Sequence, residues 1–338
     1  MRCLVTSSRP YDQEFLNAAN QGHHEFSFVE TPLREDTAAV AHGYPAVCPF
    51  VDDTLNSAVL EALAQGGTRV LALRSTGFNH VDLTVAERLG ITVMRVEEYS
   101  PYSVAEFALA LMLTLNRHLH KAYNRVREDN FLLDGLMGFD MHGKTVGIVG
   151  TGKIGTILAT ILHGMGCRLL GHDQISSPDC QALGMHYVDH LDTLLAESQI
   201  VSLHLPLIPA TRHLINHERI SKMQPGAMLI NTSRGALVDT LAIIAALKSH
   251  HLGAVGLDVY EEEAGLYFHN LSDDIICDDT FARLLTFPNV VITGHQAFFT
   301  REAMTTIATT TIANLDDFAA GRENGNIVRA PATGAPQP

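Results

Sequence analysis

The sequence predicts an α/β protein built on two parallel sheets, the second of them doubly wound. Three observations predict it. Short apolar runs alternate with helical segments over the first hundred residues. A second series of the same kind begins at Lys144. Within that second series, Gly150, Gly152 and Gly155 form G-x-G-x-x-G between a strand and an amphipathic helix. Apolar runs of strand length separated by helices are the pattern of parallel sheets with crossover connections.

In the first series, Cys3–Thr6, Ala46–Phe50, Val70–Leu73 and Thr92–Val96 read as strands, and Ser57–Ala64 reads as a helix. The pattern changes near Tyr99. Ser100 can cap a helix and Pro101 suits its first turn, while Ser103 and Glu106 form an S-x-x-E capping box close by. Val104–His120 then reads as one long helix buried on much of its surface.

In the second series Thr145–Val149 is a strand, and Ile154, Ile157, Leu158, Ile161, Leu162 and Met165 recur at helical spacing. Strands follow at Arg168–His172, Ile200–His204, Ala227–Asn231, Ala254–Leu257 and Asn289–Thr293. Helical stretches at Asp192–Glu197, Glu218–Met223 and Thr240–Lys248 separate several of them. That predicts a sheet of six strands. A last helix spans Thr300–Ala320, and the Pro/Ala/Gly-rich tail 331–338 reads as disordered.

The chain has 338 residues, 23 basic and 37 acidic, for a formal charge of −14. With 46% hydrophobic and 18% charged residues, it carries ample material for packed cores. The acidic balance argues against a general nucleic-acid or membrane-surface binder. Five scattered cysteines (Cys3, Cys48, Cys167, Cys180, Cys277) never form a C-x-x-C pair. That fits a reducing compartment and argues against a disulfide scaffold or a cysteine zinc site. No metal-ligand spacing stands out among the 18 histidines. MRCLVTSS lacks an apolar signal segment, and no apolar stretch is long enough to span a bilayer, so the expected location is the cytoplasm.

The glycine motif lets the chain turn tightly and brings the backbone up to a pyrophosphate at a helix N-terminus. The next strand ends in Asp173, which is placed to accept hydrogen bonds from adenosine ribose hydroxyls. A 2′-phosphate there would meet a negative charge, and Gln174, Ile175, Ser176 and Ser177 supply no arginine to hold one. NAD is therefore favoured over NADP.

Hydride transfer also needs a cation for an anionic substrate and an acid/base for the hydroxyl proton. Arg234 follows the strand Ala227–Asn231, at the end of the sheet where ligands bind, and its planar fork suits a carboxylate. Read alone, it could equally cap a surface turn. His295 follows the strand Asn289–Thr293, although one histidine among 18 is weak evidence by itself. Glu263 closes the acidic run Glu261–Glu263, which read alone is a solvated loop. A carboxylate beside an imidazole would orient it and favour its protonated form.

GTGKIG, HLPLIPATRHLIN, NTSRGALVD, DVYEEE and TGHQAFFT together resemble the D-isomer-specific 2-hydroxyacid dehydrogenases, in the same order over nearly the whole chain. Within that family, RSTGFNHVDL, VEEYSPYSVAEFALALML, DVYEEEAGLYFHNLSDD and TGHQAFFTREA are similar to NAD-dependent D-lactate dehydrogenases of the fermentative bacterial type. Ala264 stands where phosphoglycerate and glyoxylate relatives typically have proline. Glu106-Phe107 and Lys153 stand where many relatives have Glu-His and Arg.

The resemblance implies two Rossmann-like doubly wound lobes with the active site in the cleft between them. Residues 1–98 and 298–338 would form the substrate lobe, and 99–297 the NAD lobe. It implies Arg234, Glu263 and His295 as the catalytic residues. It implies cofactor contacts at Gly150, Gly152, Lys153, Ile154, Gly155, Asp173, Leu205, Pro206, Thr211, Thr232, Ser233 and Asp258. Substrate contacts would fall on Ser75, Thr76, Gly77, Phe78 and Tyr99, with Arg234 and His295. The implied reaction is reversible reduction of pyruvate to D-lactate by a homodimer or homotetramer. Reduction of bulkier 2-oxo acids is the alternative within enzymes. An NAD(H)-sensing, corepressor-like binding protein is the alternative outside them, and retention of all three catalytic residue types argues against it.

Overall fold

The computed structural model describes residues 1–330, and the tail 331–338, read above as disordered, lies outside them. The chain divides into two units, Met1–Ser100 with the segment from Phe299, and Pro101–Phe298. In chain order the strands of the first unit are β1 (Arg2–Val5), β2 (Glu25–Phe28), β3 (Ala46–Cys48), β4 (Val70–Ala72) and β5 (Thr92–Met94). The second unit holds β6 (Thr145–Val149), β7 (Arg168–His172), β8 (His186–Tyr187), β9 (Ile200–Leu203), β10 (Ala227–Asn231), β11 (Leu252–Leu257) and β12 (Val290–Ile292). The chain then returns to the first unit with β13 (Ile327–Val328).

The first sheet has the order β13-β5-β4-β3-β1-β2, parallel except for the edge strand β13. Its strands are apolar on both faces because helices cover both. Cys3 and Val5 pack with Leu16 of the helix Pro10–Asn20 and with Ala308 and Leu315 of the helix Arg301–Ala319. Leu4, Val47 and Leu71 point the other way, against Val59, Leu60 and Leu63 of the helix Ser57–Gln65. At the carboxyl ends of β1 and β3 the buried Asp53 accepts four hydrogen bonds, from Thr6 Oγ1 (2.7 Å), Ser7 Oγ (2.8 Å), Leu33 N (2.6 Å) and Phe50 N (2.7 Å).

The second sheet has the order β12-β11-β10-β9-β6-β7-β8, parallel throughout. It has seven strands where the sequence predicts six. The addition, β8, is a two-residue edge strand, too short to carry a periodic signal. Val146, Ile148 and Ile230 face Leu158 and Leu162 of the helix Lys153–Gly164 and Leu111 and Met112 of the helix Pro101–Asn116. Leu203, Leu229 and Val255 face Leu194 and Ile243 on the opposite side.

The long helix starts at Pro101, the residue that the sequence places in its first turn, so Ser103 and Glu106 lie inside it. It ends at Asn116 rather than His120, because His118 takes a left-handed conformation (φ +51°) and a second helix, Leu119–Arg127, begins there. Asn116 fixes the break by pairing its side-chain amide with both backbone groups of Phe139 at 2.8 Å.

Candidate active site

The glycine loop sits at the switch point of the second sheet, where β6 and β9 lie side by side and their following chains diverge. Gly150 has φ +95°, and a Cβ there would come within 2.4 Å of the His204 carbonyl oxygen. A Cβ on Gly155 would meet the Gly150 carbonyl oxygen at 2.0 Å, so this glycine lets the helix press against the strand. Gly152 differs from both. It caps the helix Lys153–Gly164, and a Cβ there would meet no atom within 4 Å. The backbone is thus bare and open at Gly152, just before Lys153 begins the helix.

Asp173 follows β7, and its Oδ2 accepts from Thr151 N (2.6 Å) and Thr151 Oγ1 (3.3 Å). Tyr187 of β8 donates its hydroxyl to Thr151 Oγ1 (2.8 Å) and accepts from Ser177 N (2.8 Å). Sequence reading missed Thr151 and Tyr187. Thr151 is a variable position of the motif, and Tyr187 belongs to the unpredicted strand.

After β9, Thr211 Oγ1 donates to the Pro206 carbonyl (2.7 Å) and accepts from Ile208 N (2.9 Å), fixing the turn that follows Leu205. His213 pairs through Nε2 with Glu261 Oε1. Glu261 Oε2 also accepts from Thr240 N (3.1 Å) and Thr240 Oγ1 (2.7 Å). These bonds hold the Glu261 carboxyl below the usual range, although burial opposes them. After β10, Thr232 Oγ1 is buried without a hydrogen-bond partner, and Ser233 Oγ donates to the Leu203 carbonyl (2.6 Å). Arg234 is half-buried. Its Nη1 donates to the Ser233 carbonyl (2.7 Å), and among the described residues it forms no salt bridge. A Cβ on Gly235 would lie 1.9 Å from the Tyr260 carbonyl oxygen, so only glycine lets the Arg234 turn touch the chain leading to Glu263.

Of the three adjacent glutamates, Glu263 is the one beside His295. Its Oε2 lies 2.8 Å from His295 Nδ1, and its Oε1 accepts from Tyr260 N (3.0 Å). Both side chains keep about a quarter of their surface exposed, at 28% for His295 and 26% for Glu263. With Nδ1 committed to the carboxylate, Nε2 is the ring nitrogen left for a substrate. His295 takes the left-handed conformation (φ +52°). Asp258 holds that turn. Its carbonyl accepts from His295 N (2.8 Å), and its carboxylate accepts from Thr293 Oγ1 (2.5 Å), Gln296 N (2.9 Å) and Ala297 N (2.8 Å). Burial pushes the Asp258 carboxyl up, against these bonds.

All of these residues stand at the carboxyl ends of strands in one sheet. The remaining predicted residues stand in the first unit. Ser75–Phe78 follows β4, and half-buried Tyr99 follows β5. Ser75 Oγ donates to the Gly77 carbonyl (2.7 Å), Thr76 Oγ1 to the Glu97 carbonyl (3.4 Å), and Arg95 lies over the Phe78 ring (5.5 Å). Among the described residues no cluster of three or more His, Cys, Asp or Glu side chains could hold a metal. No helix among them is long and apolar enough to cross a membrane.

The open backbone at Gly152, the Asp173 carboxylate and the orphaned Thr232 hydroxyl together fit a dinucleotide. Comparison with known proteins points the same way. A family model described as "D-isomer specific 2-hydroxyacid dehydrogenase, NAD binding domain" matches residues 109–297. The chain is 52% identical over 331 residues to a D-lactate dehydrogenase of Curvularia clavata, covering 96% of this chain and 94% of that one. It is 48% identical over 322 residues to D-lactate dehydrogenase of Escherichia coli (strain K12), covering 95% and 98%. The solved pyruvate reductase of Chlamydomonas reinhardtii superposes with a TM-score of 0.93 at 46% identity, covering 96% of this chain and 98% of that one. With its glycine loop, its His–Glu pair and relatives of this closeness over almost its full length, the chain belongs to the D-isomer-specific 2-hydroxyacid dehydrogenase family.

Proposed function

We propose that this protein is an NAD-dependent D-lactate dehydrogenase, catalysing pyruvate + NADH + H⁺ ⇌ D-lactate + NAD⁺. The observation that carries the mechanism is the 2.8 Å contact between His295 Nδ1 and Glu263 Oε2 at the end of the sheet that bears the glycine loop. The relatives named D-lactate dehydrogenase support the choice of substrate.

Bound NADH would supply a hydride to the carbonyl carbon of pyruvate. Gly152, Lys153, Ile154 and Gly155 would hold its pyrophosphate, and Asp173 its adenosine ribose. Leu205, Pro206, Thr211, Thr232 and Ser233 would line the nicotinamide side, with Asp258 fixing the His295 turn beside them. Arg234 takes the substrate carboxylate with its planar fork and polarises the 2-oxo group. Negative charge gathers on the carbonyl oxygen, and protonated His295 stabilises it and donates from Nε2. Glu263 balances the charge on the imidazolium through Nδ1. In the reverse direction neutral His295 takes the hydroxyl proton. Ser75, Thr76, Gly77, Phe78 and Tyr99 are the substrate contacts we assign to the first unit, making that unit the substrate domain and Pro101–Phe298 the NAD domain.

The same reading places the protein in the cytoplasm as a homodimer or homotetramer joined through its NAD domain. Supporting this, all five cysteines are free. The NAD domain also exposes a run of large apolar side chains, with Phe131, Leu132, Leu133 and Met137 at 65–90% exposure, more than a monomer ordinarily presents in one stretch.

The test is turnover of NADH with pyruvate, followed by resolution of the product on a chiral column. D-lactate is the expected product. Formation of L-lactate, or no turnover with pyruvate beside good turnover of a bulkier 2-oxo acid, would overturn the reading.

A further inference from the structure

The first unit contains a buried charge that the mechanism above does not use. Arg74 follows β4 directly, and its side chain is 2% exposed. Its guanidinium reaches back to the neighbouring strand ends. Nη1 donates to the Cys48 carbonyl at the end of β3 (3.2 Å), and Nη2 donates to the Thr6 carbonyl past β1 (3.1 Å). Nε lies 3.5 Å from Oδ1 of Asp12, whose side chain is 5% exposed. The group also lies over the Phe50 ring, 5.3 Å from its centroid. Asp12 is fixed in turn, since its Oδ2 accepts from Arg9 N (2.9 Å) at the start of the helix Pro10–Asn20.

A buried ion pair is weak evidence for stability, because apolar residues of similar volume usually serve the core as well. What the guanidinium supplies is direction. It ties two neighbouring strand ends and one helix start to a single backbone position. That position is the first anchor of the loop Ser75–Phe78. The loop's other bonds run forward: the Ser75 carbonyl accepts from Val96 N (3.0 Å), and Thr76 Oγ1 donates to the Glu97 carbonyl (3.4 Å). Arg74 is the tie that runs backward, to β1 and β3.

We propose that Arg74, braced by Asp12, is a positioning residue that sets the loop Ser75–Phe78 for substrate. This inference rests on the reading that the loop contacts pyruvate. Two variants of the full-length protein test it. Arg74→Lys keeps a charge opposite Asp12 but loses the fork. The double variant Arg74→Met with Asp12→Asn leaves no lone buried charge, so its fold is spared the penalty of breaking the pair. In both, amide hydrogen exchange across residues 75–78 should quicken at least about tenfold, and KM for pyruvate should rise by about tenfold or more. The Kd for NADH, read by fluorescence titration, should stay within about twofold of the parent. Unchanged exchange in the loop would overturn the role of Arg74, whatever the loop touches. Faster exchange with an unchanged KM would show that the loop is released without consequence. That result would overturn both this inference and the placing of Ser75–Phe78 at the substrate.

Discussion

The two sheets share a way of winding but finish their switch points differently. In the second unit, the strand end of β6 is followed by glycines, and Gly152 leaves open space in front of a helix start. In the first unit, the strand ends of β1 and β3 are closed by the chain's own groups. The Asp53 carboxylate takes four donors, and the Arg74 guanidinium donates to the Thr6 and Cys48 carbonyls. One crevice is built to receive an anion, and the other already holds one. The difference teaches that the winding only supplies the place, while the residues after each strand decide whether it binds a ligand.

The comparison breaks most severely at Asp53. In Asp53→Ala, the Leu33 and Phe50 amides would stay buried without an acceptor, and the Thr6 and Ser7 hydroxyls would lose theirs. Stability should fall by about 4 kcal/mol in urea unfolding, since each buried unsatisfied group costs about 1–3 kcal/mol. Added acetate should recover part of that loss if the cavity is an anion site filled by Asp53. A loss below about 1 kcal/mol would show that the four bonds matter little.

Acid should strain both units. Burial pushes His80 in the first unit and His204 in the second down to about 4, with Asp53 opposing the fall at His80. Unfolded, each titrates near about 6.5. The folded protein therefore keeps both neutral while the unfolded chain takes up protons first. Their contribution is fully present above about pH 6.5 and is lost as pH falls toward 4, up to about 3 kcal/mol for each group. His204→Gln should flatten this acid limb, and an unchanged slope would remove His204 from the account.

Next in size is Arg234→Lys, which keeps the charge and loses the fork. We expect kcat/KM for pyruvate to drop about 10²-fold, or ~2.7 kcal/mol. Near-normal turnover would contradict two-point anchoring. The smallest effects probe the open crevice. Gly152→Ala should leave stability unchanged, because its Cβ meets nothing, yet weaken NADH binding about tenfold. Asp173→Ala should erode the preference for NADH over NADPH by a similar factor. Equal use of both cofactors by the parent protein would sink that claim.

The parts of the fold legible in sequence were those with a repeating local pattern. The main strands of the second sheet, its glycine loop and the C-terminal helix were readable, although the cap that Thr300 Oγ1 makes by accepting from Ala303 N was not read. The unread strands were edges. β2 (EFSF) is half-exposed and mixes polar with aromatic residues, while β8 and β13 have two residues each. The stop at Asn116 was hidden because a left-handed histidine carries no sequence mark. In the site, Arg234 and His295 stood out by following strands, but which glutamate faces His295 depended on how the loop folds back. Glu261 turns instead to His213 and Thr240. Asp53 and Arg74 were invisible for a different reason. Apart from Phe50, three residues before Asp53, the hydrogen-bond partners lie 20 to 68 residues away, and no local spacing announces such a contact.

The central claim is that proton transfer at His295 is separate from cofactor holding at the glycine loop. The most direct measurement is His295→Gln, assayed for NADH affinity by fluorescence titration and for pyruvate reduction in a single turnover. We expect an NADH Kd within about twofold of the parent and a rate lower by about 10²-fold or more, the usual worth of a general acid. A variant that reduces pyruvate at the parental rate, or one that has lost NADH together with its activity, would contradict the claim.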